Sequence, residues 1–189
     1  MIRIAIVGDI GSGKSYVAKQ FGYPVFNADT EVAKLYKKSK KCHKKLAKAL
    51  PKYIFSFPIK KIEISKAIIG GGHNLKKIVK IVHPEIRLKM NSFIKKNRNK
   101  KIIVLDIPLL MENKINKKND ILVFVDAKKK EINKRLKKKV NFNPIILKKF
   151  KKIQLPIEVK KQKSDFIIKN NFRNNFIKKN VKKMLEKIL

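Results

Sequence analysis

The chain has 189 residues, 43% of them hydrophobic, which suits one domain with a real core. No window approaches the roughly 18 consecutive apolar residues of a membrane span, so no membrane role is expected. The formal charge of +37 is extreme, yet of the 50 basic residues all but Arg3, Arg87, Arg98, Arg135 and Arg173 are lysines scattered through nearly every segment.

Residues 2–7 are as apolar as the core of a signal peptide. They run into Gly8-Asp9-Ile10-Gly11 with no small-residue cleavage site, and so predict a buried strand. A helix is expected over residues 15–21. Short β-branched runs recur at residues 24–26, 101–106, 121–126 and 166–168, separated by helical patterns. That alternation predicts an α/β fold with a five-stranded parallel sheet flanked by helices. Three of these strands end near Asn27-Ala28-Asp29, Asp106 and Asp126, at the carboxyl edge where open parallel sheets bind ligands.

Between strands, a helix is expected from Thr30 to about Leu50, stopped by Pro51. A shorter one ends at Gly70-Gly71-Gly72. Residues 75–96 predict a helix broken at His83-Pro84, since proline disfavours helix in the residue before it. Residues 128–139 form a basic helix, and Asn143-Pro144 is a cap and first-turn pair for the next. The last helix carries Phe176, Ile177, Val181, Met184, Leu185 and Ile188, a core stripe at helical spacing.

Cys42 is the only cysteine, which excludes an internal disulfide framework and a cysteine-based zinc site. A reducing, cytoplasmic setting is expected. A nucleic-acid surface concentrates charge on one face and mixes in arginine and aromatics. Dispersed lysine alongside abundant Asn and Ile instead follows biased composition, and no specific nucleic-acid partner is expected.

Gly8-Asp9-Ile10-Gly11-Ser12-Gly13-Lys14-Ser15 matches G-x4-G-K-[ST], with a strand before it and a helix after it. Phosphate oxygens need several donors pointing into one concavity. Glycines let the backbone fold round them, and the helix adds its positive end. Lys14 then reaches the β- and γ-phosphates, while the Ser15 hydroxyl ligates Mg²⁺. Three of the seven glycines fall within these residues, so a bland flexible turn is a poor account of them. The chain lacks an Asn-Lys-x-Asp guanine-reading tetrad, and its strand ends supply polar groups suited to holding an acceptor.

Asp29 can accept the proton of an acceptor hydroxyl, or orient it towards the γ-phosphate; equally it can cap the helix that follows. Asp106 can hold a metal-bound water or the acceptor, or simply begin a turn. His83, with Arg87 one turn onward, has a structural reading beside a binding one. Arg135 and Lys139, four residues apart on one expected helix face, can close over phosphates as a lid or form a solvated face.

Taken together, these pieces resemble the dephospho-coenzyme A kinase family nearly end to end. They are residues 8–15, Asn27-Ala28-Asp29, Ile81-Val82-His83-Pro84-Glu85-Ile86-Arg87, and Leu105-Asp106-Ile107-Pro108-Leu109-Leu110-Met111-Glu112. Val123-Phe124-Val125-Asp126-Ala127, Gln154-Leu155-Pro156 and residues 164–170 complete the set. The D-x-P-L-L-x-E run and the His-Pro pair are its most specific parts. The resemblance implies a single P-loop kinase domain over residues 1–189, with a helical acceptor-binding insertion at about 51–100 and a lid at about 135–163. It implies transfer of the ATP γ-phosphoryl group, with Mg²⁺, to the ribose 3′-hydroxyl of dephospho-coenzyme A. Lys14, Asp29 and Arg135 would then be catalytic. Gly8, Asp9, Ile10, Gly11, Ser12, Gly13, Lys14, Ser15, Tyr16, Lys139 and Asn170 would surround the nucleotide. Asp29, His83, Arg87, Asp106, Pro108 and Leu109 would surround the acceptor.

The sequence departs from the family pattern in places. Asp9 stands where glycine is usual, Tyr16 follows Ser15 in place of threonine, and Asn27 replaces the first acid of Asp-Ala-Asp. Ala33 lies where a basic residue is common, with Lys34 beside it, and Lys139 replaces a second lid arginine, losing the bidentate fork. The rival readings are another small-molecule P-loop kinase, separable by a substrate panel, and a regulatory P-loop protein that grips polyanions, separable by tight RNA binding without phosphoryl transfer. Charge repulsion within so basic a chain favours anything that screens it. The melting temperature is therefore expected to rise with salt and with anionic ligands, and a melting temperature indifferent to both would contradict this.

Overall fold

The computed structural model describes residues 1–140 and 142–189; Asn141, inside the expected lid, lies outside the described residues. In chain order the elements begin with β1 (Ile2–Gly8), α1 (Lys14–Gln20), β2 (Val25–Asn27), α2 (Ala28–Lys38), α3 (Lys40–Ala49), α4 (Lys61–Gly70) and α5 (Asn74–Lys96). They continue with β3 (Ile102–Asp106), β4 (Ile121–Asp126), α6 (Lys129–Lys137), α7 (Pro144–Lys152), α8 (Ile157–Gln162), β5 (Phe166–Lys169) and α9 (Asn174–Ile188). The chain divides into two compact units.

The first unit comprises Met1–Asn27, Lys96–Phe142 and Ile153–Leu189, and it holds the whole sheet. The strands lie in the order β2-β3-β1-β4-β5, every neighbouring pair parallel. β1 is central and covered on both faces, which is why Ile4, Ala5 and Ile6 read as an unbroken apolar run with no solvent-accessible surface. One core gathers Ile4, Ile6, Val17, Phe21, Val104, Val123, Ile168 and the α9 stripe Ile177, Val181 and Met184. Each such side chain contributes about 1.5–3 kcal/mol by leaving water. Phe176, expected with that stripe, is exposed.

Strand register brings the carboxyl ends together. Ile6 pairs with Asp106, Asn27 with Asp106, and Gly8 with Val125. At the other end of β1, Arg3 reaches both carboxylate oxygens of the buried Asp120, with Nε–Oδ1 2.9 Å and Nη2–Oδ2 3.0 Å. Asp120 also accepts the Lys117 amide, so this pair fixes the entry to β4. Asp165 ties β5 to β4 through the Leu122 amide at 2.8 Å.

The second unit comprises Ala28–Lys95 and Asn143–Lys152 and is helical. The helix expected from Thr30 to Leu50 is two helices. Ser39 leaves the helical conformation, and its hydroxyl accepts the Cys42 amide at 3.1 Å, capping α3. The break expected at His83-Pro84 does not occur. α5 runs through Pro84, because Leu75, Ile78, Val82, Ile86 and Met90 form one continuous buried stripe. That burial outweighs the roughly 3 kcal/mol cost of an interior proline. The Asn143 cap holds: its Oδ1 accepts the amides of Ile145 and Ile146.

α4 ends on carbonyls that its own backbone cannot satisfy. The Lys149 ammonium donates to three of them, Ile68 at 2.6 Å, Ile69 at 3.0 Å and Gly71 at 3.3 Å. A cation at a helix C-terminus also opposes the helix dipole. On α5, burial pushes the pKa of half-buried His83 below its ordinary 6.5, and the positive charge of Arg87 pushes the same way.

Two expectations follow. Lys149→Ala should lower stability by about 1–2 kcal/mol, while the exposed Lys148→Ala serves as a control that leaves it unchanged; equal denaturation midpoints for the two would refute the capping role. His83 binds its proton less readily folded than unfolded. Its contribution is therefore intact above pH 6.5 and fades as the pH falls from 6.5 towards the lower folded value. Between pH 7.5 and 5.5 the native chain should lose more thermal stability than His83→Gln, and parallel profiles would contradict the assignment.

Candidate functional site

The turn between β1 and α1, residues 9–13, is built from positive-φ glycines and a buried polar frame. Gly13 has φ 91°, a conformation that costs most residues dearly, and the side-chain amide of Asn170 lies where its Cβ would stand. Gly8 has φ 146°, and a Cβ there would come within 2.8 Å of the Val125 carbonyl. Glycine is thus required by both backbone and space. Asn170, itself buried, donates from Nδ2 to the Ser12 carbonyl at 2.7 Å, which engages that oxygen. Its own backbone amide donates to the Asp126 carbonyl at 2.6 Å. Asn170 therefore braces the loop from the end of β5.

Asp9 is a carboxylate in a loop built for anions. It is buried, and its Oδ1 accepts the Ile10 amide at 2.7 Å, so its charge is turned onto its own backbone. The Lys14 ammonium lies over the loop, donating to the Asp9 carbonyl at 2.7 Å and to the Gly8 carbonyl at 3.3 Å. Ser15 is the second residue of α1, whose first amides are unsatisfied by helix bonding and add to the positive potential. Tyr16 is exposed, and its hydroxyl is bonded to Asn174 at the start of α9.

A polar chain crosses the carboxyl edge of the sheet. Asn27 Nδ2 donates to the buried Asp106 carboxylate and lies 3.4 Å from the Ser15 hydroxyl. An acid at position 27 would set two carboxylates side by side; the amide instead binds the one that remains. Ser15 and Asp106 form a pair of hard oxygen donors of the kind Mg²⁺ takes alongside substrate phosphates. Among the described residues no cluster of three or more His, Cys, Asp or Glu could hold a metal by itself. The residues fit a metal that arrives with a nucleotide.

Beyond β3 the chain turns through Pro108 and Leu109, the latter at φ 59°, a strained value for leucine. The Leu109 carbonyl accepts the Asn113 amide and side chain. This turn walls a narrow cleft with Gly8, Lys14, Glu112, Gln154 and Lys160. Glu112 and Lys160 form a buried ion pair at 2.6 Å, and Glu112 also accepts the Leu155 amide. The pair pins the segment entering α8 beside Lys14. Neither residue was expected at the site, although Glu112 ends the D-x-P-L-L-x-E run; Lys160 lies between the segments that carry the family resemblance.

α6 rests on the loop through Ile132 and Leu136, whose side chains come within 3.0–3.1 Å of where a Gly11 Cβ would be. Arg135, next to Leu136, is exposed and lies over the Phe172 ring, with Cζ 4.3 Å from its centroid. α6 stops at Lys137, so Lys139 sits in the turn beyond it and not one helical turn along from Arg135. The expected shared face is therefore absent: the backbone turns after Lys137, where the Lys139 amide donates to the Leu136 carbonyl at 3.1 Å. Asp126, considered for chemistry, is engaged by Lys161 at 3.0 Å.

In the second unit, Asp29 is exposed in the first turn of α2, the second residue of that helix and so not its cap. Its charge there is favoured by the helix dipole. His83 and Arg87 lie one turn apart on α5, His83 half-buried and Arg87 exposed.

Residues 2–175 match the family model for dephospho-CoA kinase. A dephospho-CoA kinase of Wolbachia pipientis is 33% identical over 190 residues, covering 98% of this chain and 97% of its own. One from Bartonella quintana is 35% identical, with 87% of each chain covered. The solved structure of TT1252 from Thermus thermophilus shares the fold with a TM-score of 0.80 at 24% identity, over 100% of this chain and 97% of its own. Phosphate loop, strand order and similarity over almost the whole length agree, and the chain belongs to the dephospho-CoA kinase family.

Proposed function

We propose that the protein transfers the γ-phosphoryl group of ATP to the ribose 3′-hydroxyl of dephospho-coenzyme A, yielding coenzyme A and ADP. Family membership supports this reading, and the observation that carries it is the phosphate loop braced by Asn170, with Lys14 above it and Ser15, Asn27 and Asp106 at its edge. Phosphoryl transfer asks little covalent work of a protein. It asks for fixed donors around the oxygens and a well-placed acceptor.

The loop amides and the amino end of α1 bind the β- and γ-phosphates, and Lys14 leaves its carbonyl partners to follow the charge that develops on the bridging oxygen. Ser15 and Asp106 would hold Mg²⁺, which would supply positive charge against that of the phosphates. Asp29 accepts the proton of the 3′-hydroxyl or aims that oxygen in line. His83, Arg87, Pro108 and Leu109 hold the acceptor; burial keeps His83 neutral near pH 7, so it serves as a hydrogen-bonding group. The segment at about 51–100 binds the acceptor and that at about 135–163 acts as the lid, with Arg135 as its cation. Asp9, Ile10, Tyr16, Lys139 and Asn170 complete the nucleotide surroundings. Among the described residues no helix is long and apolar enough to cross a membrane. A cytoplasmic setting, without a specific nucleic-acid partner, suits the buried free thiol of Cys42 and the dispersed lysines.

Incubation with Mg·ATP and dephospho-coenzyme A should give coenzyme A, measured directly. Lys14→Ala and Asp29→Asn should each lower turnover by roughly 100-fold or more. Wild-type turnover in either variant would remove that residue from the mechanism, and absence of product from the native protein would overturn the reading.

A further inference from the structure

The turn after β5 places an aromatic ring in an unusual setting. Phe172 has φ 62°, a left-handed conformation that Gly or Asn adopts with little strain and Phe seldom does. The turn holds it there: Asn170 Oδ1 accepts the Phe172 amide at 2.7 Å, and Asn171 Oδ1 accepts the Arg173 amide at 3.0 Å. Asn170 is the residue that braces the phosphate loop, so turn and loop are one hydrogen-bonded body. The ring rests against that loop, its Cε1 3.4 Å from where a Cβ on Gly13 would lie. Over the same ring lies the Arg135 guanidinium.

We infer that Phe172 is a positioning residue for phosphoryl transfer, holding the Arg135 guanidinium in place beside the phosphate loop. The inference rests on the reading of Arg135 as the lid cation. An exposed arginine samples many rotamers, and a cation that must be gathered from solvent at the moment of reaction stabilises the transition state less than one already fixed. A carboxylate partner would fix it but would consume donors and cancel charge. Among the described residues no carboxylate pairs with Arg135. An aromatic ring attracts the cation while leaving its N–H groups for phosphate oxygens. Ile132 and Leu136 seat α6 on Gly11, so both ends of the contact are referred to the same loop. The strained φ of Phe172 is then explained: an unstrained Gly or Asn would make the turn but would offer no ring.

The test is a double-mutant cycle on the full chain, read as kcat and KM for ATP with dephospho-coenzyme A as acceptor. Phe172→Leu, and separately Phe172→Asn, which accepts the backbone conformation, should lower kcat by roughly 3- to 10-fold with little change in KM, the range a cation–π contact supports. Phe172→Tyr should restore kcat to within about twofold, since it keeps the ring. In an Arg135→Ala background neither ring-removing variant should lower kcat further. Wild-type kcat in Phe172→Leu and Phe172→Asn alongside an impaired Arg135→Ala would overturn the inference alone, as would losses that simply multiply across the cycle. Full turnover in Arg135→Ala would overturn the reading of Arg135, and this inference with it.

Discussion

A loop that binds phosphate must hold several backbone N–H groups in one concavity without letting its own carbonyls turn inward. Here the carbonyl of Ser12 is engaged by the Asn170 amide, and Gly8 and Gly13 yield their Cβ space to the Val125 carbonyl and to Asn170. The loop's shape therefore depends on β4 and β5 as much as on its own residues. Those strands depend in turn on Asp165, which locks β5 to β4, and on Asp120, which draws Arg3 to the entry of β4. Removing either partner of the buried Arg3–Asp120 pair strands a charge and typically costs several kcal/mol. The ion pair lies at the opposite edge of the sheet, yet the register of β1 against β4, and hence the seat of Gly8 beside Val125, is built on it.

The acidic side of the site is sparse and local. The chain carries 13 acidic residues against 50 basic ones, so each carboxylate near the loop meets a partner that fixes it. Asp9 takes the Ile10 amide, Asp106 takes Asn27, Glu112 takes Lys160, and Asp126 takes Lys161. The Asn27–Asp106 contact shows the consequence. One neutral amide beside one carboxylate leaves Asp106 hydrogen-bonded with no second negative charge at its side.

Much of this was legible in the sequence. All five strands lie where their β-branched runs placed them, because a strand covered on both faces needs apolar residues throughout and little else in the chain looks like that. The phosphate loop was legible because its glycines answer a steric demand that no other residue meets. Pro84 and Ser39 were misread. Pro84 was weighed by local preference while the buried stripe of α5 decides for helix, and Ser39 was passed over inside one expected helix although its hydroxyl caps α3. Lys139 was misplaced because uniform lysine hides where a helix stops. Leu109 at φ 59° and the Glu112–Lys160 pair were beyond reach, since each is set by a packing environment assembled from distant segments.

The Glu112–Lys160 pair shows why such features matter to chemistry. Lys160 is 3% exposed, and burying an ammonium beside Lys14 in one cleft would, taken alone, oppose the positive charge the loop requires. Paired at 2.6 Å, the two charges cancel, and Glu112 spends its remaining capacity on the Leu155 amide. The net effect on the cleft is neutral in charge and rigid in geometry, beside a Lys14 whose ammonium donates to the Gly8 and Asp9 carbonyls. On a chain with lysine nearly everywhere, Lys160 is thus set apart by the carboxylate that neutralises it.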